Sequence, residues 1–238
     1  AVDKRNGGKG DAQNAGINVS RYPLFCTIDG DSLLEEDALL RVARPFHDYP
    51  GQIVATGGTI RIANGSLVRA GRITDARLAH ALLPRIQAVE YLRAFLFGRM
   101  GWSSFGGLLL ISGAFGIFDK QVVVEAGGYA TDSVGEDMEL VIRVHRVLRD
   151  RGRSYRIGFV PEPVCWTEAP ESLRVLGRQR ERWQRGLIDT LLRHRGMMLR
   201  PRYGAVGMLA MPAFFLFEML APVIELAGLV LVPASWAL

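Results

Sequence analysis

The chain has 238 residues, of which 49% are hydrophobic and 22% are charged, and it carries 11 prolines. This length and composition exclude a disordered or fibrous protein and allow one large domain with an appended segment. Its two cysteines, Cys26 and Cys165, are too few for a disulfide framework. Both lie in apolar runs, so we expect buried free thiols.

The net charge of +5 originates in one segment. Nine arginines lie between Arg174 and Arg202, opposed by Glu181 and Asp189, and an apolar tail of 36 residues follows. This arrangement is typical of a cytoplasmic juxtamembrane segment, where each basic residue near an anionic leaflet gains roughly 1 kcal/mol. Nucleic-acid binding is the alternative for a basic segment. The tail favours membrane lipid as the partner and argues against nucleic acid.

The predicted elements alternate between strands and helices. A glycine-rich opening over residues 1–18 is typical of a loop that leads into a helix. Periodicity and turn signals then predict strands over 22–29, 53–62, 108–118 and 156–166, and helices over 33–45, 77–98 and 136–150. This alternation implies an α/β fold with a mainly parallel sheet. Because Pro161 and Pro163 cannot donate to a ladder, the last strand is expected at a sheet edge.

The tail over residues 203–238 is too long for one straight membrane span. As a single helix it would measure about 54 Å, against roughly 30 Å of hydrocarbon core. Pro212, Pro222 and Pro233 offer break points. We therefore expect an interfacial turn followed by one kinked transmembrane span.

Asp29 and Asp31 are separated by one glycine directly after the first predicted strand. In α/β folds, ligands bind at the carboxyl ends of the strands. Two such carboxylates are hard oxygen ligands for Mg²⁺ or Mn²⁺, and the metal would in turn hold a diphosphate. Asp-Gly-Asp is also a common turn, so the pair by itself leaves both interpretations open.

A second acidic pair, Glu136 and Asp137, follows Gly135 at the start of a predicted helix. Carboxylates at this position are favoured by the helix dipole alone. The functional interpretation is a general base that accepts the proton of an attacking hydroxyl group. A helix N-terminus lowers the pKa of a carboxylate and weakens it as a base, which counts mildly against that role.

Three residues of the arginine-rich segment, Gln179, Arg182 and Trp183, share one face of a predicted helix. A guanidinium suits a diphosphate leaving group, and an indole suits the apolar face of a sugar ring. The alternative is an amphipathic interfacial helix with its tryptophan at headgroup level. In the opening loop, Lys9 is positioned to reach a phosphate or is a solvated loop lysine, and the loop lacks the P-loop pattern.

The order of these motifs is more specific than any one of them. A Gly-Lys-Gly-Asp-Ala-x-Asn-Ala-Gly loop precedes Asp-x-Asp, Ser-Gly-Ala-Phe, Gly-Glu-Asp, Gln-x-x-Arg-Trp and an apolar segment. In this order the chain resembles glycosyltransferase family 2, in its cellulose synthase, hyaluronan synthase and poly-N-acetylglucosamine synthase branch. The resemblance runs through nearly the whole chain and implies a GT-A-like (Rossmann-like) fold.

The resemblance implies a role for the acidic residues. Asp29 and Asp31 match the pair that holds the metal and the donor diphosphate. Asp137 matches the catalytic base, and Glu136 is its neighbour in the substrate site.

For the remaining positions, the resemblance implies contacts with the substrates. Arg182 matches the arginine that meets the diphosphate, Trp183 matches the tryptophan that meets the acceptor sugar, and Gln179 begins the same motif. Lys9 lies in the loop that lines the donor side. Ser112 and Gly113 correspond to the segment near the acceptor terminus.

The domain organisation also follows from the resemblance. Residues 1–170 are expected to form the catalytic domain, without the upstream nucleotide-binding unit of the family, so that the fold is truncated at its N-terminus. Residues 171–202 are expected to form the amphipathic interfacial helix, and 203–238 the transmembrane segment. The implied location is the cell (inner) membrane, with the catalytic domain in the cytoplasm.

The implied activity is that of a membrane-bound inverting glycosyltransferase. It would move a sugar from a nucleotide diphosphate donor, a UDP-sugar in this branch, to a hydroxyl group of a growing polysaccharide or glycolipid. Two alternatives stay open at this point. One is a transferase that adds a single sugar to a lipid or polyprenyl phosphate, and the other is an inactive membrane-anchored binding or scaffold protein.

Overall fold

The computed structural model describes residues 2–236 of the chain. Seven strands are present in this part: β1 Leu24–Ile28, β2 Leu33–Leu34, β3 Ile53–Ile62, β4 Leu67–Arg69, β5 Arg72–Asp75, β6 Phe115–Asp119 and β7 Arg156–Thr167. The α-helices are α1 Lys9–Val19, α2 Ala38–Asp48, α3 Leu82–Leu92, α4 Met100–Ser104, α5 Lys120–Glu125, α6 Glu136–Asp150, α7 Leu173–Arg193, α8 Met211–Phe214 and α9 Ala221–Trp236. π-Helical turns cover Arg93–Arg99, Val206–Ala210 and Phe215–Met219, and 3-10 turns cover Arg195–Met197 and Pro201–Tyr203.

The main sheet has the strand order β1-β6-β3-β7-β2, so the α/β class is as predicted but the mainly parallel sheet is not. Only β3 and β7 pair in parallel, while β6 is antiparallel to both β1 and β3, and β2 is antiparallel to β7. The strands β1, β3 and β7 nevertheless share one direction, because β6 lies between two of them and runs the opposite way. Strand–helix alternation therefore gave the direction of three strands correctly but could not show that a reversed strand separates two of them.

This reversed strand has a consequence for function. Residues just before β6 lie at the same sheet edge as residues just after β1, since Phe115 pairs with Ile28. The Ser112–Gly113 segment and the Asp29–Asp31 turn therefore meet at the carboxyl edge of the sheet, where α/β folds bind ligands.

Strand β7 is not the edge strand that its prolines predicted. At its end, Trp166 and Cys165 pair with β2. The prolines are accommodated at an irregularity, where the register with β3 shifts between Val160 and Pro163. There the hydroxyl group of Thr59 donates to the carbonyl oxygen of Pro161 at 2.8 Å.

Several helices and strands begin or end at residues other than those predicted. The helix predicted over 33–45 begins at Ala38, because Leu33–Leu34 forms β2. The strand predicted over 108–118 is confined to β6. The helix predicted over 77–98 begins at Leu82, with Pro84 in its first turn, where a missing N–H costs little. The apolar residues at helical spacing that predicted it are mostly exposed, and only Phe95 is buried among Leu82, Ile86, Val89, Leu92 and Phe95.

The core of the described residues has three clusters, and α6 contributes to two of them. One face of the sheet packs against α6 and α5, with Phe118, Leu140 and Val144 among the buried residues. The other face packs against α2, through Val42. The far side of α6 contacts α7 and the segment that follows it, through residues such as Ile142. Helix α6 is therefore buried on two sides, which fixes the position of its N-terminus.

The cysteine prediction holds for one residue. Cys165 is buried in β7, whereas Cys26 is exposed. Cys26 belongs to β1, which is one of the two edge strands of the described sheet and has no strand beside it on one side.

No helix within residues 2–236 combines the length and apolar character that a single membrane crossing requires. Two consecutive helical segments, Val206–Met219 and Ala221–Leu229, have the required length and apolar character when they are taken together, and a bend of 40° separates them. By length and composition alone this bent pair is compatible with a membrane crossing, and the transmembrane segment stays a prediction.

Candidate functional site

The glycine-rich opening forms α1, and the structure anchors this helix to the loop before α6. The side-chain amide of Asn14 donates to the carbonyl oxygen of Tyr129 at 2.9 Å, and its oxygen accepts from the Tyr129 N–H at 2.7 Å. Gly10 allows close approach, because a Cβ there would lie 2.6 Å from the carbonyl oxygen of Ala130. These contacts place Lys9, the first residue of α1, over the carboxyl edge of the sheet.

Lys9 connects two of the predicted acidic motifs. Its amine lies 2.6 Å from Asp29 Oδ1 and 3.3 Å from Glu136 Oε1. Burial lowers the pKa of this amine, but the hydrogen bond to Asp29 and the charges of Asp29, Glu136 and Asp137 outweigh it. The pKa is therefore raised above 10.5, and Lys9 carries its positive charge at neutral pH.

Asp137 is oriented by two backbone donors. Its Oδ2 accepts from the N–H of Gly113 at 3.0 Å, and its Oδ1 accepts from the N–H of Met138 at 2.8 Å. A Cβ on Gly113 would lie 2.7 Å from Lys9 Nζ and 3.4 Å from Asp137 Oδ2, so a side chain there would displace the lysine amine. Ser112 accepts a long bond of 3.4 Å from the Ala114 N–H, which helps to shape the same loop.

The Asp29–Asp31 pair forms a turn that is joined to this loop. The N–H of Asp29 donates to the carbonyl oxygen of Ala114 at 3.2 Å, and the N–H of Ser32 donates to the carbonyl oxygen of Asp29 at 3.1 Å. Asp31 is exposed and lines a cavity of about 880 Å³ that follows the ends of β3 and β7, together with Asn64, Trp166, Glu168 and Glu171 among others.

The carboxylates of this turn fit Mg²⁺ or Mn²⁺ that is shared with a substrate. Within residues 2–236, no group of three or more His, Cys, Asp or Glu side chains is arranged to hold a metal ion. Mg²⁺ does not need such a group, since it commonly binds through one or two carboxylates plus substrate phosphates and water. Asp29 and Asp31 supply that partial set, with Asp31 open to the cavity.

Helix α7 carries Gln179, Arg182 and Trp183, and it reaches the site through a contact between glycines. A Cβ on Gly186 would lie 2.9 Å from the Cα of Gly135. Arg182 and Trp183 precede Gly186 by one turn, and both are exposed. Within residues 2–236, no hydrogen bond or ion pair joins them to Asp29, Asp31 or Asp137.

Neighbouring side chains contact the motif formed by Gln179, Arg182 and Trp183. The guanidinium of Arg180 lies 4.8 Å from the centre of the Trp183 ring and pairs with Glu90 of α3 at 2.5 Å. The Gln179 Oε1 atom is buried and, in the described part of the chain, accepts no hydrogen bond. It is therefore a buried acceptor without a partner among the described residues.

Sequence reasoning did not single out Tyr91 and Arg99, which are close enough to Asp31 and Asp137, respectively, for their charges to interact. Burial lowers the pKa of Arg99 to about 10, and the charge of Asp137 counteracts that fall. Burial raises the pKa of Tyr91, and the charges of Arg180 and Arg99 oppose this rise. The signal in the sequence was their spacing from Phe95, which places all three on one helical face.

Glu139 joins α6 to the end of α7. Its carboxylate is buried and pairs with Arg143 at 2.6 Å and with His194 Nε2 at 3.1 Å. Burial raises the pKa of Glu139, but the hydrogen bonds from His194 and Arg143 outweigh it, and the pKa is lowered. This network holds α6 and α7 in place on the side away from Asp137.

Comparison with known proteins supports the same class. The profile of glycosyl transferase family group 2 matches residues 24–238. The poly-beta-1,6-N-acetyl-D-glucosamine synthase of Staphylococcus aureus (strain COL) is 31% identical over 190 residues, which are 80% of this chain and 41% of that protein. The enzyme of the same name from Staphylococcus epidermidis is 29% identical over 188 residues, or 79% and 40%. The chain thus spans about two fifths of the length of these relatives.

A solved structure shares the fold. The mannosyltransferase PcManGT from Pyrobaculum calidifontis, in complex with GDP-Man and Mn²⁺, superposes with a TM-score of 0.63 at 16% identity. The match covers 96% of this chain and 55% of that one. The α/β fold of the chain, with its mixed and curled sheet, is therefore GT-A-like.

Proposed function

The chain belongs to glycosyl transferase family group 2, and we propose that it is the part of a membrane-bound inverting glycosyltransferase that performs the transfer reaction. The donor is a nucleotide diphosphate sugar, for which a UDP-sugar is the first choice. The acceptor is a hydroxyl group of a growing polysaccharide. The names of the staphylococcal relatives make N-acetylglucosamine the first sugar to test.

The observation that carries this proposal is the geometry of Asp137. Each of its carboxylate oxygens accepts one backbone N–H and keeps a further lone pair. The group is therefore fixed in orientation yet able to accept the proton of a hydroxyl group. A positioned carboxylate of this kind contributes roughly 10²- to 10⁴-fold to a rate as a general base.

The proposed donor side needs positive charge, because the carboxylates of Asp29, Glu136 and Asp137 lie around Lys9. Asp29 and Asp31 would hold Mg²⁺ or Mn²⁺, which when bound neutralises the negative charge of the departing diphosphate. Lys9 already lies at this point and is charged. Arg182 is exposed one turn from the Gly186 contact, so its guanidinium is free to meet a phosphate oxygen.

The acceptor side is formed by α7 and the loop before β6. Trp183 is 41% exposed and held by Arg180, which leaves its ring available to the apolar face of a sugar. The unsatisfied Gln179 Oε1 can accept from a sugar hydroxyl. Ser112 and Gly113 line the approach to Asp137. Inversion follows if the hydroxyl attacks the anomeric carbon directly, from the face opposite to the diphosphate.

The proposed location of the protein at a membrane depends mainly on the apolar tail, residues 203–238. The arginines of α7 and the bent pair of helices after it favour a membrane surface, with the site on the cytoplasmic side where nucleotide sugars are made available. Anionic lipid is the expected partner of the arginines.

The test uses the whole protein in membranes with UDP-N-acetylglucosamine, UDP-glucose and GDP-mannose, each with Mg²⁺ or Mn²⁺. We expect release of nucleoside diphosphate from one donor together with a polymeric product. A product with one sugar on a lipid would instead establish the single-transfer alternative. No release from any donor, with the protein folded, would favour the binding or scaffold alternative.

A further inference from the structure

The segment after α3 forms a column of stacked side chains. The rings of Tyr91 and Phe95 lie 5.6 Å apart, and the Arg99 guanidinium lies 3.6 Å from the centre of the Phe95 ring. The backbone from Arg93 to Arg99 is π-helical, so side chains four residues apart stay nearly in line. π-Helical turns inside helices frequently mark functional sites, since they cost stability.

The middle of this column packs into the core cluster that reaches the loop of the proposed base. Phe95 is buried in the cluster that also contains Ala114, the residue after the Gly113 N–H that binds Asp137. The charge of Asp137 acts on Arg99, although no ion pair within 4.0 Å joins the two side chains in residues 2–236. Arg99 is therefore near enough to Asp137 for the two charges to interact, without an ion pair between the side chains.

One donor of Arg99 is unused. Its Nη1 atom is buried and, among the described residues, donates no hydrogen bond. An unsatisfied buried donor on a charged group is costly, and the stacking on Phe95 does not replace a hydrogen bond. A buried, unsatisfied donor of this kind is expected in a side chain whose hydrogen-bond acceptor arrives with the substrate.

We propose that Arg99 is a substrate-binding residue that donates from Nη1 to an oxygen of the donor diphosphate. This inference rests on the proposed function, because it assumes a nucleotide diphosphate donor. Charge decides in favour of the diphosphate over a neutral acceptor hydroxyl group. Three carboxylates, those of Asp29, Glu136 and Asp137, act on one lysine at this edge, so a bound diphosphate needs further cations, and a guanidinium is well suited to phosphate oxygens.

The test measures binding of inorganic pyrophosphate with Mg²⁺ to the whole protein by calorimetry. Pyrophosphate isolates the diphosphate contacts from those of the base and sugar. We expect Arg99→Gln to weaken binding about tenfold or more, and Arg99→Lys, which keeps the charge, to recover part of this loss. Arg93→Gln is the matched control, because Arg93 is exposed on the same π-helical turn and should leave binding within twofold.

Kinetics separate a binding role from a structural one. Arg99→Gln should raise the KM for the donor and leave the KM for the acceptor unchanged, with a thermal unfolding midpoint like that of the parent. If Arg99→Gln fails to fold, Arg99→Lys carries the test, with an expected affinity loss of about threefold to tenfold.

The outcomes distinguish this inference from the proposed function. If Asp31→Asn abolishes pyrophosphate binding while Arg99→Gln and Arg99→Lys bind within twofold of the parent, the proposed function stands and the role of Arg99 is refuted. If the Arg99 variants lose binding while Asp31→Asn retains it, Arg99 binds the anion and the assignment of the metal pair is wrong.

Discussion

Gly135 and Gly186 bring the backbones of the two helices that carry the proposed site into contact. A Cβ on Gly135 would lie 3.0 Å from the Cα of Gly186, and a Cβ on Gly186 would lie 2.9 Å from the Cα of Gly135. Gly135 immediately precedes α6, which begins with Glu136 and Asp137, and Gly186 lies one turn after Trp183 in α7. The missing side chains therefore set the separation between the proposed base and the proposed acceptor-binding helix.

Gly186→Ala should destabilise the protein and reduce transfer. The new methyl group would meet backbone, which cannot rotate away, so the helices must separate, at a cost of about 1–3 kcal/mol. Urea unfolding together with sugar-transfer assays measures both effects. Gly177→Ala is the control in the same helix, because its Cβ would meet no atom within 4 Å. That change should stabilise α7 by roughly 0.5–1 kcal/mol, and an equal loss in both variants would contradict the proposed contact.

Asp137→Asn should abolish turnover while leaving donor binding nearly intact. The amide oxygen can still accept from a backbone N–H, but it cannot take a proton from a hydroxyl group at neutral pH. The rate of nucleoside diphosphate release should fall by roughly 10²- to 10⁴-fold, with the Kd for the donor changed by less than about threefold. Glu162→Gln removes an exposed carboxylate and should have no effect. A turnover of the Asn variant close to that of the parent would remove Asp137 as the base.

Gly113→Ala should separate function from stability. The new methyl group would lie 2.7 Å from Lys9 Nζ, and the flexible end of a lysine moves easily, so unfolding free energy should change by less than about 1 kcal/mol. Displaced Lys9 should bind the donor more weakly. Gly10→Ala, whose methyl group would lie 2.6 Å from a backbone oxygen, should instead lose stability. The prediction fails if Gly113→Ala leaves donor affinity unchanged.

Stability should fall between pH 6.5 and pH 4 because of His145. Its Nε2 donates to the carbonyl oxygen of Leu108 at 2.9 Å, and its Nδ1 accepts from the Tyr155 hydroxyl at 2.6 Å. Burial lowers the pKa of His145 from 6.5 to about 4, and Arg149 adds to that shift. In this window the unfolded chain binds a proton that the folded chain does not, so acid favours unfolding.

The size of this effect is about 3 kcal/mol, from the shift in the pKa of His145. It is measured as the difference in unfolding free energy between the parent and His145→Gln at several pH values. That difference should shrink as the pH falls from 6.5 to 4. His47→Gln alters an exposed histidine and serves as the control. A difference that is independent of pH would show that His145 is not buried in its neutral form.

The sequence alone determined the fold class and the local position of each motif. Hydrophobic periodicity and turn residues are short-range signals, and they located α6, α7, β3 and the acids that begin α6. The order of the motifs identified the family that the profile of glycosyl transferase family group 2 then showed. These properties depend on residues that are close in the chain, so they can be read without knowing what packs against them.

The tertiary structure alone decided which distant segments meet. Strand β6 lies between β1 and β3 and is antiparallel to both. This arrangement places Gly113 beside Asp137 and Lys9. Periodicity could not show that most of the apolar stripe of α3 is exposed, since it defines a stripe but not its partner. The sequence did not indicate Arg99 for the same reason. Its unsatisfied Nη1 costs free energy only in the folded protein, where Phe95 and the surrounding core exclude water from it.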